Sequence, residues 1–231
     1  MTPSLTLWSP PPETLELTRA QVHLWRFRLD LPPLEITELL QTLSADEQLR
    51  ADRLLHRTKA ENFVVARGRL RQILARYLNQ QPKELTFAYN EQGKPSLAGN
   101  PGNKISFNLA HAGQWGVLAV TSGTEIGVDI EQIDPDLDYE NIAAGFFSTT
   151  EIDRLNQYLP HRRRRVFYRI WTCKEAGLKA VGGGFSTPAI GGEEKEWHIR
   201  QFSVAQNYLG AVAVSGEGTV TERWDFGERF V

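Results

Sequence analysis

Cysteine is nearly absent: Cys173 is the only one in 231 residues. A single thiol cannot build an intrachain disulfide framework, and it rules out a Cys-rich zinc site. An excess of one charge is also missing. The 26 Lys and Arg nearly balance 28 Asp and Glu, so no overall basic character points to nucleic acid. No stretch approaches the about 20 apolar residues that a membrane helix needs. The opening "MTPSLTLWSPPPETLEL" lacks the basic region and apolar run of a secretory signal. From these absences we expect a cytoplasmic, monomeric protein without nucleic-acid or membrane partners.

What is present fits a folded chain. A hydrophobic content of 41% is ordinary for a globular protein, and the length suits one large domain or two halves of about 100 residues. After a Pro-rich, extended opening, "QVHLWRFRLD" reads as a strand and "LEITELLQTL" as a helix. "SADE", residues 44 to 47, is a capping-box pattern. It should start one long or one broken helical segment reaching about Asn79, interrupted only by Gly68. "LTFAYN", "KISFNLAHA", "WGVLAVTS" and "TEIGVDIEQI" read as strands, with "EQGKPSLAGNPGN" as a loop. "STTE", residues 148 to 151, repeats the capping box. A helical stretch through "HRRRR" and "WTCKEAGLKAV" then runs to a triple glycine at 182 to 184. Three strand candidates close the chain: "EWHIRQFSV", "NYLGAVAVS" and "TVTERWDF". The order strands, helices, strands thus occurs twice, with a seam near Ser122 to Glu125. The expected fold is α+β with two similar subdomains, 1–123 and 124–231, each a small antiparallel sheet packed with helices.

Two stretches carry chemistry. In "GVDIEQI", residues 127 to 133, Val128 and Ile130 face one side of a strand, and Asp129 and Glu131 face the other, with Cα atoms roughly 6.6 Å apart. An alternating strand with acids outward is ordinarily a solvated face. Like charges this close otherwise call for water, a proton or a cation between them. In "WTCKEAGLKA", residues 171 to 180, Trp171, Glu175 and Lys179 share one helix face, with Lys174 beside it. If that helix packs on the strand, three carboxylates converge. Oxygen ligands without His or Cys suit a hard cation, Mg²⁺ or Mn²⁺. Lysines nearby would then meet phosphate oxygens, so the parts point to diphosphate chemistry without a nucleophilic side chain.

"GVDIE" followed some forty residues later by "WTCKEAGLKA" resembles the signature of 4′-phosphopantetheinyl transferases of the surfactin-synthetase-activating type. "GKP" at 93 to 95 and "FNLAHAGQW" at 107 to 115 look like that family's coenzyme A loops. "FFSTTE" at 146 to 151 resembles its F-F-x-x-x-E segment. Residues 43 to 74 are similar to its N-terminal helical region. The resemblance covers roughly residues 40 to 190. It implies a single-chain pseudo-dimer with the active site between the halves. The implied activity is transfer of the phosphopantetheine arm of coenzyme A, the co-substrate, to a serine of an apo acyl, polyketide or peptidyl carrier protein, releasing adenosine 3′,5′-bisphosphate.

The resemblance also implies roles. Asp129, Glu131 and Glu175 match the metal-binding acids, and Glu175 also matches the base for the carrier serine. Lys179 would stabilise the diphosphate, with Lys174 a second source of the same charge. Lys94 and His111 match positions that hold the adenosine end and its 3′-phosphate. Arg53 and Arg57, with Arg50 as an alternative, lie in the region of further phosphate contacts. One departure stands out: "AHA" at 110 to 112 replaces the family's usual "SHS". The rival reading of the same acids is a Mg²⁺-dependent phosphohydrolase or nuclease using water as nucleophile.

Overall fold

The computed structural model describes residues 8–19, 21–99, 105–182, 197–216 and 220–227. The extended reading of the first seven residues, the loop at 100–104 and the chain that follows Gly182 up to residue 196 lie outside these.

The first half opens with β1 (Gln21–Arg28), then α1 (Pro33–Leu40), α2 (Ala45–Asp52) and α3 (Arg57–Leu78). A short hairpin follows, β2 (Phe87–Tyr89) and β3 (Pro95–Leu97), and then β4 (Ile105–Ala112) and β5 (Trp115–Ser122). The second half repeats the plan: β6 (Ile126–Gln132), α4 (Tyr139–Phe146), α5 (Thr149–Asn156), α6 (Pro160–Val181), β7 (Trp197–Ala205) and β8 (Tyr208–Ser215). The last strand, β9 (Val220–Asp225), crosses back and pairs in parallel with β1.

The strand order repeats as well. In the first half β5 lies between β1 and β4, and in the second β8 lies between β6 and β7, with antiparallel pairing throughout. Each half thus returns to its first strand after three helices. This is the expected α+β fold of two similar parts, except that β9 joins the sheet of the first.

The two sheets pack on each other. Val22, Leu24, Val117 and Ala119 of the first form one buried cluster with Ile126, Val128, Ile130 and Val212 of the second. The opposite face of the first sheet, with Trp25, Phe27 and Leu118, meets Leu70, Ile73 and Leu74 of α3. The opposite face of the second sheet, with Ala211 and Ala213, meets Ala176 and Ala180 of α6. Helices, sheet, sheet, helices is therefore the layering, and the central strands β5 and β8 are buried on both faces. Along β1, residues Val22, Leu24, Trp25 and Phe27 are all inaccessible, so apolar residues stand on both of its faces.

Both capping boxes form, at Ser44 with Glu47 and at Ser148 with Glu151. The expected segment from 44 to 79 is broken between Asp52 and Arg57, although neither Gly nor Pro marks the break. Gly68 has a packing reason: a Cβ there would stand 2.8 Å from Leu39 Cδ2, so its absence lets α1 lie on α3. The helical stretch after "STTE" is two helices, because Pro160 opens α6 as its first residue. Helix α4, capped by Asp138, was not anticipated, since eight residues give too few turns for a readable period. The 91–103 loop contains β3.

Glu47 does more than cap. It is 2% exposed, and its carboxylate accepts from Arg71 Nε at 2.7 Å and lies 3.2 Å from Arg67 Nε. Arg71 also donates to the carbonyls of Pro82 and Leu85, and Arg67 to the Tyr89 hydroxyl. This buried network ties the β2–β3 hairpin to α3. Removing one member would leave a buried charge unpaired.

A second buried polar group gives a pH prediction. His23 is 1% exposed and shares Tyr77 Oη with Trp25 Nε1, each at 2.8 Å. Burial lowers its pKa from 6.5 to about 4. The unfolded chain therefore binds a proton that the folded one refuses. Stability is intact above pH 6.5 and is lost as pH falls towards 4, by up to roughly 3 kcal/mol. Urea denaturation of wild type and His23→Gln between pH 7 and 4.5 should show the steeper decline in wild type. Parallel declines would remove His23 from the acid response.

Candidate active site

The carboxylates of "GVDIEQI" do not face solvent. Ile126, Val128 and Ile130 point into the space between the sheets, so Gly127, Asp129 and Glu131 point the other way, under α6. The approach is close. A Cβ on Gly127 would overlap the Ala176 carbonyl oxygen and the Ala180 nitrogen. Only glycine on the strand, and alanines on the helix, allow backbone to lie on backbone here.

That approach brings Lys179 onto Asp129. Lys179 Nζ donates to Asp129 Oδ1 at 2.6 Å, and Asp129 is only 4% exposed. The other oxygen, Oδ2, is buried without a hydrogen-bond partner. Burial raises the Asp129 pKa, and the Lys179 charge and hydrogen bond oppose that rise. Glu131 is pushed up to about 7, by burial first and by the Asp129 charge second. Lys179 and a hydrogen bond from Trp171 pull it down, and Glu175 adds a further push up. Glu175 is also raised, by burial and then by Asp129, against Lys179. The three acids of the two motifs therefore share one electrostatic site, as the packing of helix on strand required.

His111 borders the same site. Crowding by the surrounding protein lowers its imidazole pKa and the Lys179 charge lowers it further, although the ring reaches solvent. The neighbouring Ala110 packs in the core between the sheets and is 5% exposed, so a serine there would bury a hydroxyl. Asn108, on the same face as Ala110, accepts from the backbone N–H of Val128 at 2.8 Å. It satisfies a donor on the outer edge of β6, which among the described residues pairs only with β8.

Other expected residues stand elsewhere. Lys174 pairs with Glu151 at 3.0 Å, so the "FFSTTE" glutamate holds α5 against α6. Lys94 donates to the carbonyls of Ile126, Lys179 and Ala180 at 2.9, 2.7 and 2.9 Å. Arg57 pairs with Glu61, its side chain 84% exposed, and Arg53 is an exposed residue just past α2. No contact among the described residues links either arginine to the acids. Arg50 lies over the Phe63 ring.

Beside Glu131 opens a cleft of about 680 Å³, lined mainly by apolar side chains including Ile133, Leu137, Ile142, Phe146 and Trp171. Part of that wall is α4, whose existence the sequence pattern did not reveal. Trp171, legible only as a neighbour of Glu175 on the helix, both lines the cleft and hydrogen-bonds Glu131.

The two-part α+β fold thus brings three acids, a lysine and an adjoining apolar cleft together under α6. Comparison with known proteins identifies the family. Residues 125–223 match the model of the 4′-phosphopantetheinyl transferase superfamily, and residues 32–123 match that of the 4′-phosphopantetheinyl transferase N-terminal region. The chain is 34% identical over 232 residues to the 4′-phosphopantetheinyl transferase HetI of Nostoc sp. strain PCC 7120, covering 95% of this chain and 98% of that protein. It is 32% identical over 154 residues to a 4′-phosphopantetheinyl transferase of Bacillus subtilis, covering 67% of this chain and 66% of that protein. It is 29% identical over 154 residues to the transferase Sfp of Bacillus subtilis strain 168, with the same coverage, 67% and 66%. The chain belongs to the 4′-phosphopantetheinyl transferase superfamily. No helix among the described residues is long and apolar enough to cross a membrane.

The geometry makes two expectations measurable. Gly127→Ala places a methyl group against helix backbone that cannot rotate aside. It should lower both the melting temperature and any activity that depends on the α6–β6 spacing; a variant unchanged in both would show the contact to be soft. Glu131 gives the second. Its folded pKa of about 7 exceeds the unfolded value of 4.5, so the unfolded state loses its proton first as pH rises. Stability is unaffected below pH 4.5 and falls between 4.5 and 7. In the presence of EDTA, Glu131→Gln should be more stable than wild type at pH 8 and match it at pH 4. Equal stabilities at pH 8 would place Glu131 in a solvated setting.

Proposed function

We propose that this protein transfers the 4′-phosphopantetheine group of coenzyme A to a serine hydroxyl of an apo carrier protein of the acyl, polyketide or peptidyl kind, releasing adenosine 3′,5′-bisphosphate. The observation that carries this reading is the gathering of buried Asp129 and half-buried Glu131 and Glu175 around Lys179, in a chain whose two halves both match the family. In this reading the halves at 1–123 and 124–231 meet at the site, the first supplying His111 and the second the acids.

The donor set fits a hard cation. Burial raises the pKa values of all three carboxylates, the Asp129 charge raises those of Glu131 and Glu175 further, and Asp129 keeps a buried oxygen without a partner. As placed, no three His, Cys, Asp or Glu side chains among the described residues are gathered tightly enough to hold an ion. The fit therefore rests on donor chemistry and charge. Asp129, Glu131 and Glu175 are the residues that would hold Mg²⁺, or Mn²⁺, which when bound neutralises diphosphate charge and polarises a phosphoryl oxygen.

The side chains then divide the work. Glu175, its pKa raised by burial and then by Asp129, takes the proton of the carrier serine. The serine oxygen attacks the phosphorus that bears the pantetheine arm. A new Oγ–P bond forms as the P–O bond to the adenosine bisphosphate breaks. Lys179 faces the charge that develops on the departing oxygen. Trp171 holds Glu131, and the apolar cleft beside it suits the uncharged pantetheine arm. His111 is assigned to the adenosine end and its 3′-phosphate. Arg53 or Arg57, exposed at the elbow between α2 and α3, supplies further phosphate contact, and Arg50 could replace either. Lys174 adds positive charge near the diphosphate only by leaving Glu151. The alternative of a Mg²⁺-dependent phosphohydrolase or nuclease needs the same acids with water as nucleophile, and no observation favours it.

The test is direct. Incubating the protein with coenzyme A, Mg²⁺ and an apo carrier should add the mass of one phosphopantetheinyl group to the carrier, and should give none when the carrier serine is replaced. Glu175→Gln should still bind coenzyme A yet slow single-turnover transfer by about 10²–10⁴. Transfer at the wild-type rate would exclude Glu175 as the base, and hydrolysis of coenzyme A without carrier modification would favour the phosphohydrolase.

A further inference from the structure

Lys94 offers the most unusual environment outside the acid cluster. It sits in the turn between β2 and β3, in the first half of the chain. Its ammonium is carried across to the second half, where all three of its protons go to carbonyl oxygens: Ile126 at 2.9 Å, Lys179 at 2.7 Å and Ala180 at 2.9 Å. An ammonium has three donors and no acceptor, so none remains for a phosphate. The acceptors matter more than their number. Lys179 and Ala180 are in the last turn of α6, where final carbonyls run out of partners along the helix; the Lys179 carbonyl otherwise accepts only the long 3.3 Å bond from the capping Gly182 N–H among the described residues. Ile126 opens β6. One cation thus bridges the end of the helix that carries Lys179 and the start of the strand that carries Asp129, and it does so at the negative end of the helix dipole.

The surrounding turn is built to hold this arrangement. Asn90 Oδ1 accepts from the backbone N–H groups of Gln92 and Lys94, at 3.1 and 2.7 Å, which folds the turn. Asn90 Nδ2 reaches the carbonyl of Gly182, the left-handed cap of α6, at 3.5 Å. The hairpin itself is anchored on α3 through Arg67 at Tyr89 and through Arg71 at Leu85.

We infer that Lys94 is a positioning residue: it clamps the end of α6 to β6 and so sets the placement of Lys179 and Asp129 for phosphoryl transfer, rather than contacting coenzyme A phosphates. The resemblance to the family had assigned Lys94 to the phosphate end of the nucleotide. The inference rests on the transferase reading given above.

The two roles separate in the kinetics. Lys94→Met keeps the alkyl stem and removes the ammonium. A clamp acts on alignment, so kcat should fall by about 10²-fold, the size of effect that a misplacement of about 1 Å produces. KM for coenzyme A should be unchanged, as should the ratio of its kcat/KM to that of dephospho-coenzyme A. Hydrogen exchange of the amides in the last turn of α6 should quicken, with the amides of β1 and β5 unaffected. Asn90→Ala gives the independent arm. The Asn90 amide is taken up by the turn and by the Gly182 carbonyl, so its loss should lower kcat in the same direction by a smaller factor, with KM for coenzyme A unchanged.

A Lys94→Met enzyme with wild-type kcat, a raised KM and a lost preference for coenzyme A over dephospho-coenzyme A would overturn the clamp and make Lys94 a phosphate ligand. Wild-type values of every parameter would overturn it too. Should Lys94→Met fail to fold by circular dichroism, Asn90→Ala decides, and wild-type kcat there counts against the clamp. If the wild-type protein transfers nothing to any carrier, the functional reading fails. The exchange comparison, which needs no substrate, then still tests the clamp.

Discussion

The site depends on how closely one helix lies on one strand. Gly127 presents no side chain to α6, and Ala176 and Ala180 present almost none to β6, with Ala211 and Ala213 completing the surface on the neighbouring strand. A row of small residues gives up apolar burial, which at about 25 cal/mol per Å² is the usual reason to pack a helix on a sheet. What it gains is distance. With the backbones this near, a lysine on the helix reaches an aspartate two residues along the strand from the glycine. Larger residues at 127 or 180 would push the helix off the strand and carry Lys179 away from Asp129.

The electrostatics follow from the same closeness. Placing carboxylates beneath a helix removes water from them, and burial is the leading cause of the raised pKa at Asp129, Glu131 and Glu175 alike. A single lysine opposes all three. The fold therefore holds carboxylates whose charge it offsets only in part with Lys179, an arrangement that stability alone does not favour. Such an arrangement suits the transfer proposed above, because a carboxylate with a raised pKa is the stronger base towards a hydroxyl proton. The buried Glu47 shows the contrast. Two arginines and a backbone N–H surround it, and its role is to hold elements together.

Much of this was legible in the sequence. Alternation in "GVDIEQI" gave the shared face of Asp129 and Glu131, and four-residue spacing gave the shared face of Glu175 and Lys179, because both periods are properties of local backbone geometry. The capping boxes were legible for the same reason. What was not legible depends on partners distant in sequence. Nothing local tells that the glutamate of "SADE" also receives Arg67 and Arg71, that Lys174 is taken by Glu151, or that Lys94 caps a helix more than eighty residues away. Helix α4 escaped because its eight residues hold too few turns, yet it supplies a wall of the cleft. The return of β9 to the first sheet is likewise a tertiary choice, unmarked by the residues of the strand.

The repeated strand order explains why no repeat could be read residue by residue. In both halves a first strand lies under a 22-residue helix that ends on a left-handed cap, Asn79 in one and Gly182 in the other. The helix-facing positions of β1 are His23, Trp25 and Phe27, and those of β6 are Gly127, Asp129 and Glu131. One half fills the space between helix and strand with aromatic rings and a neutral histidine, the material of a core. The other empties that space of bulk and lines it with charge. A shared topology constrains where strands and helices run, and it leaves the identity of the side chains between them free. The two halves have taken that freedom in opposite directions, one towards packing and one towards chemistry. The first half then serves the second through its edges, by His111 beside the acids, Asn108 on the outer edge of β6 and Lys94 at the end of α6.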